Sequence, residues 1–530
     1  MLMLSRLAVL AVLVVAAAAS GPLHAQTLRW ASQGDAQTMD PHSQNEQFTN
    51  SITGQVYDTL VMRDKQLGIA PALATEWTQV NPTLWRLKLR PNVKFHDGSA
   101  FTADDVVFSF ARASMPASPF RTYAVSMGTP RKVDNLTVEF VLPQFDPVFL
   151  QHATTIYIMS RAWSEKHNAG APLDFKNKED KYTNVNANGT GPFMLVSRQP
   201  DSRTVFKRNP NYWGPIEGNV QEVVYSPIKN EATRTAALIS GEVDFVLDPP
   251  PQDLQRLRST AGVKVVDGVE NRSVFIGMDQ ARDELLYSDV KGKNPFKDLR
   301  VRRALYQAVD IETLRTRLMR GQSLVTGSVT PSPAGGFNDP EFERRLPFDL
   351  ARAKGLLTEA GYPNGFQVQL DCPNNRYIND EAICLALATM WSKIGVTVKV
   401  LSQPRASYFP KAEKLDVSMY MLGWGGAITD AETTLTPVLH SRGEGGTGYY
   451  NWGNYKNPKL DELINASSKE ADPARREQFI KAALREHNEQ VHHIPLHRQV
   501  IPWATRSNVT VVHRADNWLE WRWVTVGPKS

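Results

Sequence analysis

The feature that most constrains the fold of this 530-residue chain is a repeated order of helix pattern, glycine and strand pattern. The helical pattern over residues 231–240 is followed by Gly241 and at once by a strand-like run, and the pattern over residues 379–394 is followed by Gly395 and another such run. Alternation of this kind favours an α/β architecture with helices packed on sheets, rather than a helix bundle or a sandwich. Further helical patterns lie at residues 299–308, 350–360, 458–467 and 473–489.

Local patterns in the first quarter of the chain predict a hairpin and a helix. Residues 85–90 and 93–95 alternate between apolar and polar side chains, and residues 90–92 between them have turn chemistry. This arrangement predicts a β-hairpin. Residues 102–105 are typical of a helix N-cap with acidic side chains in the first turn, so we expect a helix to begin there.

The composition is that of a soluble globular protein, with 42% hydrophobic and 22% charged residues. Disordered and membrane-embedded classes are therefore excluded, and the length suggests about three domains. The chain has 60 Lys and Arg against 55 Asp and Glu, and its basic clusters are short and scattered. A nucleic-acid binder concentrates positive charge in patches, so nucleic acid is not an expected partner.

The N-terminus has the pattern of a secretory signal peptide. Arg6 precedes an apolar run over residues 7–19, and the small residue Ala25 precedes Gln26. The run is shorter than the ~20 residues that span a bilayer, which favours a cleaved signal over residues 1–25 rather than an uncleaved anchor. No cysteine lies near this cleavage point, so we expect an exported protein without a lipid anchor.

The two cysteines of the chain are expected to form a disulfide, because export permits one. Cys372 ends a strand pattern and Cys384 lies in the first turns of the next helix pattern. A strand-to-helix connection of this length returns the second cysteine to the first. A buried pair of free thiols is the alternative.

Catalytic signatures are missing from the sequence. It contains no phosphate-binding G-x-x-x-x-G-K-[ST] loop, no G-x-S-x-G, no H-E-x-x-H and no C-x-x-C motif. Residues 96–99 resemble a fragment of a catalytic triad, but Asp-Gly is ordinary turn chemistry. His492, His493 and His497 are too close along a strand pattern to point at one metal. We expect no enzyme activity, no cofactor and no metal site.

A series of motifs along nearly the whole mature chain resembles the family 5 solute-binding proteins of bacterial ABC importers, the group of dipeptide, oligopeptide, glutathione and nickel binders. Any one of these motifs is weak, but their common order is specific. They are residues 39–42, 71–77, 85–98, 101–106, 189–193, 208–214, 241–244, 294–302, 361–366 and 423–425.

This resemblance implies two lobes that close on a ligand, joined by two crossing strands near residues 271–279 and 495–503. Hinges of this kind absorb the closing motion at a few backbone positions. The boundaries that it implies are 26–273 for the first lobe, with a subdomain at about 53–182, then 274–494 for the second lobe, and 495–530 for the return to the first.

The function that the resemblance implies is a monomeric periplasmic protein that captures a small peptide or peptide-like solute and delivers it to an ABC permease at the inner membrane. The alternative within the same importer class is a metal or metal-chelate binder of the nickel type. It would need His42, His440 or the group around His492 to converge, because such metals require several ligands in one place.

The resemblance also suggests where a ligand is held. Peptide binders of this family pair the ligand ammonium with an aspartate three residues after the motif tryptophan, here Trp424, but that position is Ala427. The arginine that some oligopeptide binders carry three residues before the tryptophan is Met421 here. Asp430 or Glu432 would have to take over the ammonium, unless these acids form only a solvated helix start.

The remaining candidates are polar or aromatic side chains at positions where family members contact ligand. Arg376 is the preferred partner for a ligand carboxylate because its guanidinium can pair with both oxygens; a surface salt bridge is the alternative. For Phe120 and Tyr123, core packing is the alternative. The set is Asn45, Gln47, Phe120, Tyr123, Asn374, Arg376, Tyr377 and Trp424.

Overall fold

The computed structural model describes residues 26–177, 179–331, 339–425 and 429–528, so the predicted signal peptide and Ala427 lie outside the described residues. The chain alternates strands and helices as the sequence predicts. The strands are β1 (Thr27–Ser32), β2 (Val61–Arg63), β3 (Ile69–Pro71), β4 (Ala74–Asn81), β5 (Leu84–Leu89), β6 (Thr129–Asp134), β7 (Thr137–Val141), β8 (Phe193–Gln199), β9 (Arg203–Arg208), β10 (Glu222–Pro227), β11 (Phe245–Leu247), β12 (Val263–Met278), β13 (Ser323–Val325), β14 (Gln367–Pro373), β15 (Thr397–Gln403), β16 (Met419–Gly425), β17 (His493–Arg506), β18 (Val509–Thr510) and β19 (Thr525–Val526).

Most helices begin at a side chain that caps the first turn. The α-helices are α1 (Gln47–Thr53), α2 (Ala103–Ala113), α3 (Arg121–Ser126), α4 (Phe149–His152), α5 (Arg161–Lys166), α6 (Glu231–Ser240), α7 (Leu254–Ser259), α8 (Leu299–Gln307), α9 (Ile311–Thr313), α10 (Pro340–Glu343), α11 (Leu350–Glu359), α12 (Asp380–Ser392), α13 (Arg405–Glu413), α14 (Glu432–Thr434), α15 (Pro458–Lys469) and α16 (Pro473–Gln490). Short 3₁₀ or π turns lie at Phe175–Asn177, Tyr182–Asn184, Pro251–Asp253, Pro295–Lys297, Leu314–Leu318, Leu435–Leu439, Glu444–Gly446 and Trp521–Trp523. Within the described part of the chain, no helix is both long enough and apolar enough to cross a membrane.

One mixed sheet runs through the whole molecule. Its strand order is β15-β14-β16-β12-β17-β11-β1-β10-β9-β8, with β13 added to β17. The long strands β12 and β17 are antiparallel and lie in the middle of this order. The segments expected to cross between the lobes, residues 271–279 and 495–503, lie largely within these two strands.

The two halves of the sheet meet at this central pair. Residues 263–269 of β12 pair with residues 500–506 of β17, and this end of β17 also pairs with β11. Residues Arg272–Met278 of β12 pair with β16, and most of them also pair with β17 on the other side. A register shift separates the two parts between Val269 and Ser273. The fold is therefore two α/β lobes joined by two antiparallel strands, with an irregular stretch where they join.

A separate four-stranded antiparallel sheet forms most of a subdomain on the first lobe, in the order β4-β5-β7-β6. Helix α2 covers it, and the two bury an apolar cluster that includes Leu87, Phe110, Phe140 and Phe149. The first lobe has its own core around Trp30 and Trp521, and the second lobe packs another around Trp391.

The predicted helix start at residues 102–105 is confirmed: Thr102 caps α2, and the side chain of Asp105 accepts from the backbone N–H of Thr102. The predicted hairpin of residues 85–90 with 93–95 is wrong. Strand β5 pairs with β4 and β7, and residues 93–95 turn back on Ser99 through the backbone bond from the N–H of Phe95. Alternation shows which face of a strand is buried, but the partner strand is set by contacts distant in sequence.

Candidate functional site

A cleft lies between the two lobes beside the crossing strands, with about 780 Å³ of space that no protein atom fills, part of it open to solvent. Side chains from both lobes line it, so an occupant would contact each of them. The lining residues are Asn45, Glu46, Gln47, Asn50, Phe120, Tyr123, Thr154, Thr155, Tyr157, Arg272, Arg376, Tyr377, Phe409, Leu422, Gly423, Trp424, Gly425, Thr433, Tyr450 and Trp518.

Trp424 stands on β16 at one wall of the cleft. Its indole Nε1 donates to the carbonyl oxygen of Thr433 at 2.6 Å, and its ring centroid is 4.6 Å from that of Tyr450. The flanking residues must be glycines because a Cβ on Gly423 would lie 2.6 Å from the Tyr377 ring. A Cβ on Gly425 would overlap the backbone of Asn271. The two glycines thus hold the Trp424 side chain where β16 packs closely against the ring of Tyr377 and the backbone of Asn271.

Arg376 and Tyr377 lie on the loop between β14 and α12. The carboxylate of Asp380 in the first turn of α12 holds this loop by accepting from the backbone N–H groups of Arg376 at 2.8 Å and Tyr377 at 3.0 Å. Burial raises the pKa of Asp380 to about 7, although these N–H groups oppose the shift. The guanidinium of Arg376 lies 4.9 Å from the centre of the Tyr377 ring. The loop therefore places one cation and one aromatic ring together in the cleft.

Glu46 joins the two lobes by electrostatic contacts. It caps α1 of the first lobe by accepting from the N–H groups of Phe48 and Thr49. Its Oε1 is 2.7 Å from Nε of Arg376, and its Oε2 is 3.1 Å from Nη1 of Arg405, both in the second lobe. Burial alone would raise the pKa of Glu46, but the two arginines outweigh it and lower the pKa to about 2. The carboxylate is thus ionised and fully paired.

Arg272 enters the cleft from the irregular stretch of β12. Its Nε donates to Glu270 at 2.9 Å and its Nη1 to the carbonyl oxygen of Gly423 at 2.9 Å. Nη2 is buried and has no hydrogen-bond partner among the described residues. Glu270 in turn accepts from the side chain of Gln499 at 2.5 Å. One donor of this buried guanidinium therefore has no partner among the described residues.

Seven of the predicted site residues line the cleft: Asn45, Gln47, Phe120, Tyr123, Arg376, Tyr377 and Trp424. Asn45 and Gln47 flank Glu46, and their amides are held by the side chain of Asn50 and the carbonyl oxygen of Asp516.

Three other predicted residues lie outside the cleft. Asn374 is exposed at the surface. Asp430 pairs through both oxygens with Arg476, at 2.7 and 2.9 Å. Glu432 is partly buried next to the subdomain and lines a different cavity with His152. Burial raises the pKa of Glu432 to about 7, although His152 opposes the shift. The structure does not bring either acid to the wall that holds Trp424 and Arg376.

Sequence reasoning missed Glu46, Arg272, Tyr450 and Trp518 in the cleft lining. Glu46 lies between two predicted residues, and its position just before α1 identifies it as a cap, so a local signal for it existed. The roles of the other three rest on contacts distant in sequence.

The histidines required by the metal alternative lie in different surroundings. His42 is buried with Nε2 2.8 Å from the carbonyl oxygen of Tyr157, whereas His440 lies beside Asp461. His492 stacks on the ring of Tyr455 and contacts Gln280. The residues that the structure describes include no group of three or more His, Cys, Asp or Glu arranged to hold a metal ion.

The structure joins Cys372 at the end of β14 to Cys384 in α12 by a disulfide, with the Cα atoms 6.6 Å apart. The bond spans the base of the loop that carries Arg376 and Tyr377.

Two α/β lobes joined by paired crossing strands, over a cleft lined from both sides, define a two-lobed solute-binding protein. The family described as "Bacterial extracellular solute-binding proteins, family 5 Middle" matches residues 68–446, and the chain belongs to this family. It is a substrate-binding component of an ABC transporter.

Similar proteins cover most of the chain. Heme-binding protein A of Haemophilus influenzae is 29% identical over 446 residues, which are 78% of this chain and 76% of that protein. The dipeptide-binding protein of Escherichia coli K12 is 27% identical over 505 residues, 89% of each chain. The solved dipeptide-binding protein from Pseudoalteromonas sp. SM9913, in complex with Met-Leu, has a TM-score of 0.83 at 22% identity and covers 94% of this chain and 100% of that one.

Proposed function

We propose that this protein captures a small peptide or peptide-like solute between its lobes and delivers it to an ABC permease at the inner membrane. The observation that carries the proposal is the cleft itself. It places a guanidinium, Arg376, and an aromatic ring, Trp424, among amide and hydroxyl side chains from both lobes. A peptide offers the matching groups: carboxylate, amide and apolar side chain. The names of the dipeptide-binding relatives support the same class.

The mechanism is closure of the lobes around the solute without chemistry. We assign residues 26–273 and 495–530 to the first lobe, with the subdomain at about 53–182, and residues 274–494 to the second. Contacts made by each lobe separately become full burial when the lobes close, and the hinge lies where β12 changes register. We further propose a monomer that is exported by cleavage of residues 1–25 and has no enzyme activity.

The decisive experiment is mass spectrometry of the ligand released from purified protein, with metal analysis of the same sample. A peptide or amide-containing acid without stoichiometric metal is expected. Stoichiometric nickel or a metal chelate would favour the alternative of a metal-binding protein. A bound solute should also compact the protein in X-ray scattering and raise its melting temperature by mass action. Binding without compaction would contradict the two-lobe mechanism.

A further inference from the structure

Among the described residues, the charged side chains that line the cleft are two arginines and one glutamate, Arg272, Arg376 and Glu46. A ligand ammonium taken out of water needs a carboxylate partner. None of the residues outside the described ranges is Asp or Glu. The inventory of carboxylate side chains along the cleft is therefore complete, and Glu46 is its only member.

Glu46 is not available to a ligand ammonium. Each of its oxygens already contacts one guanidinium and one backbone N–H group: Arg376 and Phe48 for Oε1, Arg405 and Thr49 for Oε2. Its side chain is only 2% exposed. An ammonium would have to displace a buried arginine from the carboxylate and leave that arginine unpaired, which is costly.

The arginines, by contrast, retain unused donors. The shortest contact between Arg376 and Glu46 is made by Nε of the arginine, and the two terminal nitrogens of Arg376 form no hydrogen bond with the described residues. Nη2 of Arg272 also has no hydrogen-bond partner among the described residues, although Arg272 is only 2% exposed. Both guanidinium groups lie over the ring of Tyr377, at 4.9 and 5.8 Å from its centre. Unused buried guanidinium donors match the oxygens of carboxylates.

We propose that the cleft binds its solute as an anion, with carboxylate groups on Arg376 and Arg272, and that it has no subsite for an ammonium. The substrate class is peptides and related amide acids whose amino end is acylated or otherwise uncharged. This inference rests on the proposed function and narrows it. Neutral amides and hydroxyls, such as those of Asn45, Gln47 and Thr155, supply the remaining polar contacts.

Retention of mixed dipeptides by the purified, ligand-stripped protein tests this proposal. Three libraries are offered at equal concentration: free termini, acetylated amino end with free carboxylate, and acetylated amino end with amidated carboxyl. Mass spectrometry measures what is retained. We expect the acetylated acids to be enriched at least ~10-fold over both other forms. Free termini bring an ammonium that finds no carboxylate partner in the cleft, and the amidated forms lose the carboxylate that the arginines would bind.

The other outcomes separate two failures. Equal or better retention of dipeptides with free termini, or of the amidated forms, would overturn the anionic specificity and leave peptide capture intact. Retention of no library would overturn peptide capture, and the anionic specificity with it.

Three variants provide a second test. Arg376→Gln should reduce retention of the acetylated acids at least ~10-fold, and Arg376→Lys should recover only part of it, because a lysine lacks the planar fork. Arg485→Gln, which removes an exposed arginine paired with Glu341 far from the cleft lining, should change nothing. Unchanged retention in Arg376→Gln, with its melting curve intact, would contradict the assignment of the carboxylate to this arginine.

Discussion

At the scale of single residues, Trp424 is the side chain whose contribution to binding is most directly testable. It is buried against Tyr450 and forms a wall of the cleft. Trp424→Ala should weaken binding of the retained solute roughly 10- to 100-fold, because a large aromatic contact surface is lost. Trp424→Phe should lose less. Calorimetry gives the affinities, and thermal unfolding shows whether each variant is folded. An unchanged affinity in the alanine variant would remove Trp424 from the ligand contacts.

Asp430 provides the complementary test, since it is one of the two acids that the sequence suggests as an ammonium anchor. Both of its oxygens are occupied by Arg476. Asp430→Asn should therefore leave the affinity within about twofold and lower the free energy of unfolding by about 1–3 kcal/mol, because a largely buried arginine loses its partner. Calorimetry and denaturant unfolding measure the two effects. A loss of ~30-fold or more in affinity, which corresponds to about 2 kcal/mol, would restore the ammonium role.

The candidate site could be predicted where a short sequence motif contains the side chains that would contact a ligand. Arg376, Tyr377 and Trp424 lie in segments whose residue types and order already indicate a ligand loop and a glycine-flanked aromatic strand end. Glu46 could not be understood in this way, because its partner Arg405 is 359 positions away in the sequence. The charge balance of the cleft depends on such pairs, so the sequence left open which acids are free to meet a ligand.

At the scale of elements, helices were more predictable than strand partners. A helix start such as residues 102–105 depends on side chains within one turn, and α6 matches its expected bounds of 231–240. Strand β5 instead lies between β4 and β7, and β7 begins only at Thr137. Its second partner is separated from it by helices α2 and α3, so no local pattern could name it.

The disulfide joins β14 to α12, and its loss should increase the conformational freedom of the loop between them. The bond between Cys372 and Cys384 closes a short loop that includes Arg376 and Tyr377. Loop-closure entropy gives it about 3 kcal/mol of stability. The Cys372→Ser/Cys384→Ser variant should lower the melting temperature and weaken solute binding, because the loop then has more conformations. Thiol titration of denatured, unreduced protein should find no free thiol; two free thiols would contradict the bond.

At the scale of the whole molecule, the lobes are held together by more than the two strands. The side chain of Gln151 in the subdomain accepts from the backbone N–H of Thr429 in the second lobe at 2.9 Å, and Glu46 contacts both Arg376 and Arg405. These contacts form only when the lobes approach each other. Arg376 therefore lines the cleft and also takes part in the contact between the lobes, so a solute bound to Arg376 would be coupled to closure of the molecule.

Glu46→Gln tests that coupling, because it removes the charge and keeps an oxygen that can still cap α1. Without solute, the variant should be more open than the wild-type protein, with a larger radius of gyration in X-ray scattering. The matched control, Glu341→Gln, breaks an exposed pair with Arg485 and should leave the radius unchanged.

The pH dependence of closure has a definite sign. The paired state lowers the pKa of Glu46 from 4.5 to about 2, so its contribution to closure is complete above pH ~4.5 and is lost as the pH falls toward 2. The wild-type protein should open over this range, whereas Glu46→Gln, already open, should change less. Identical scattering of both proteins at pH 7 would show that this ion pair does not hold the lobes together.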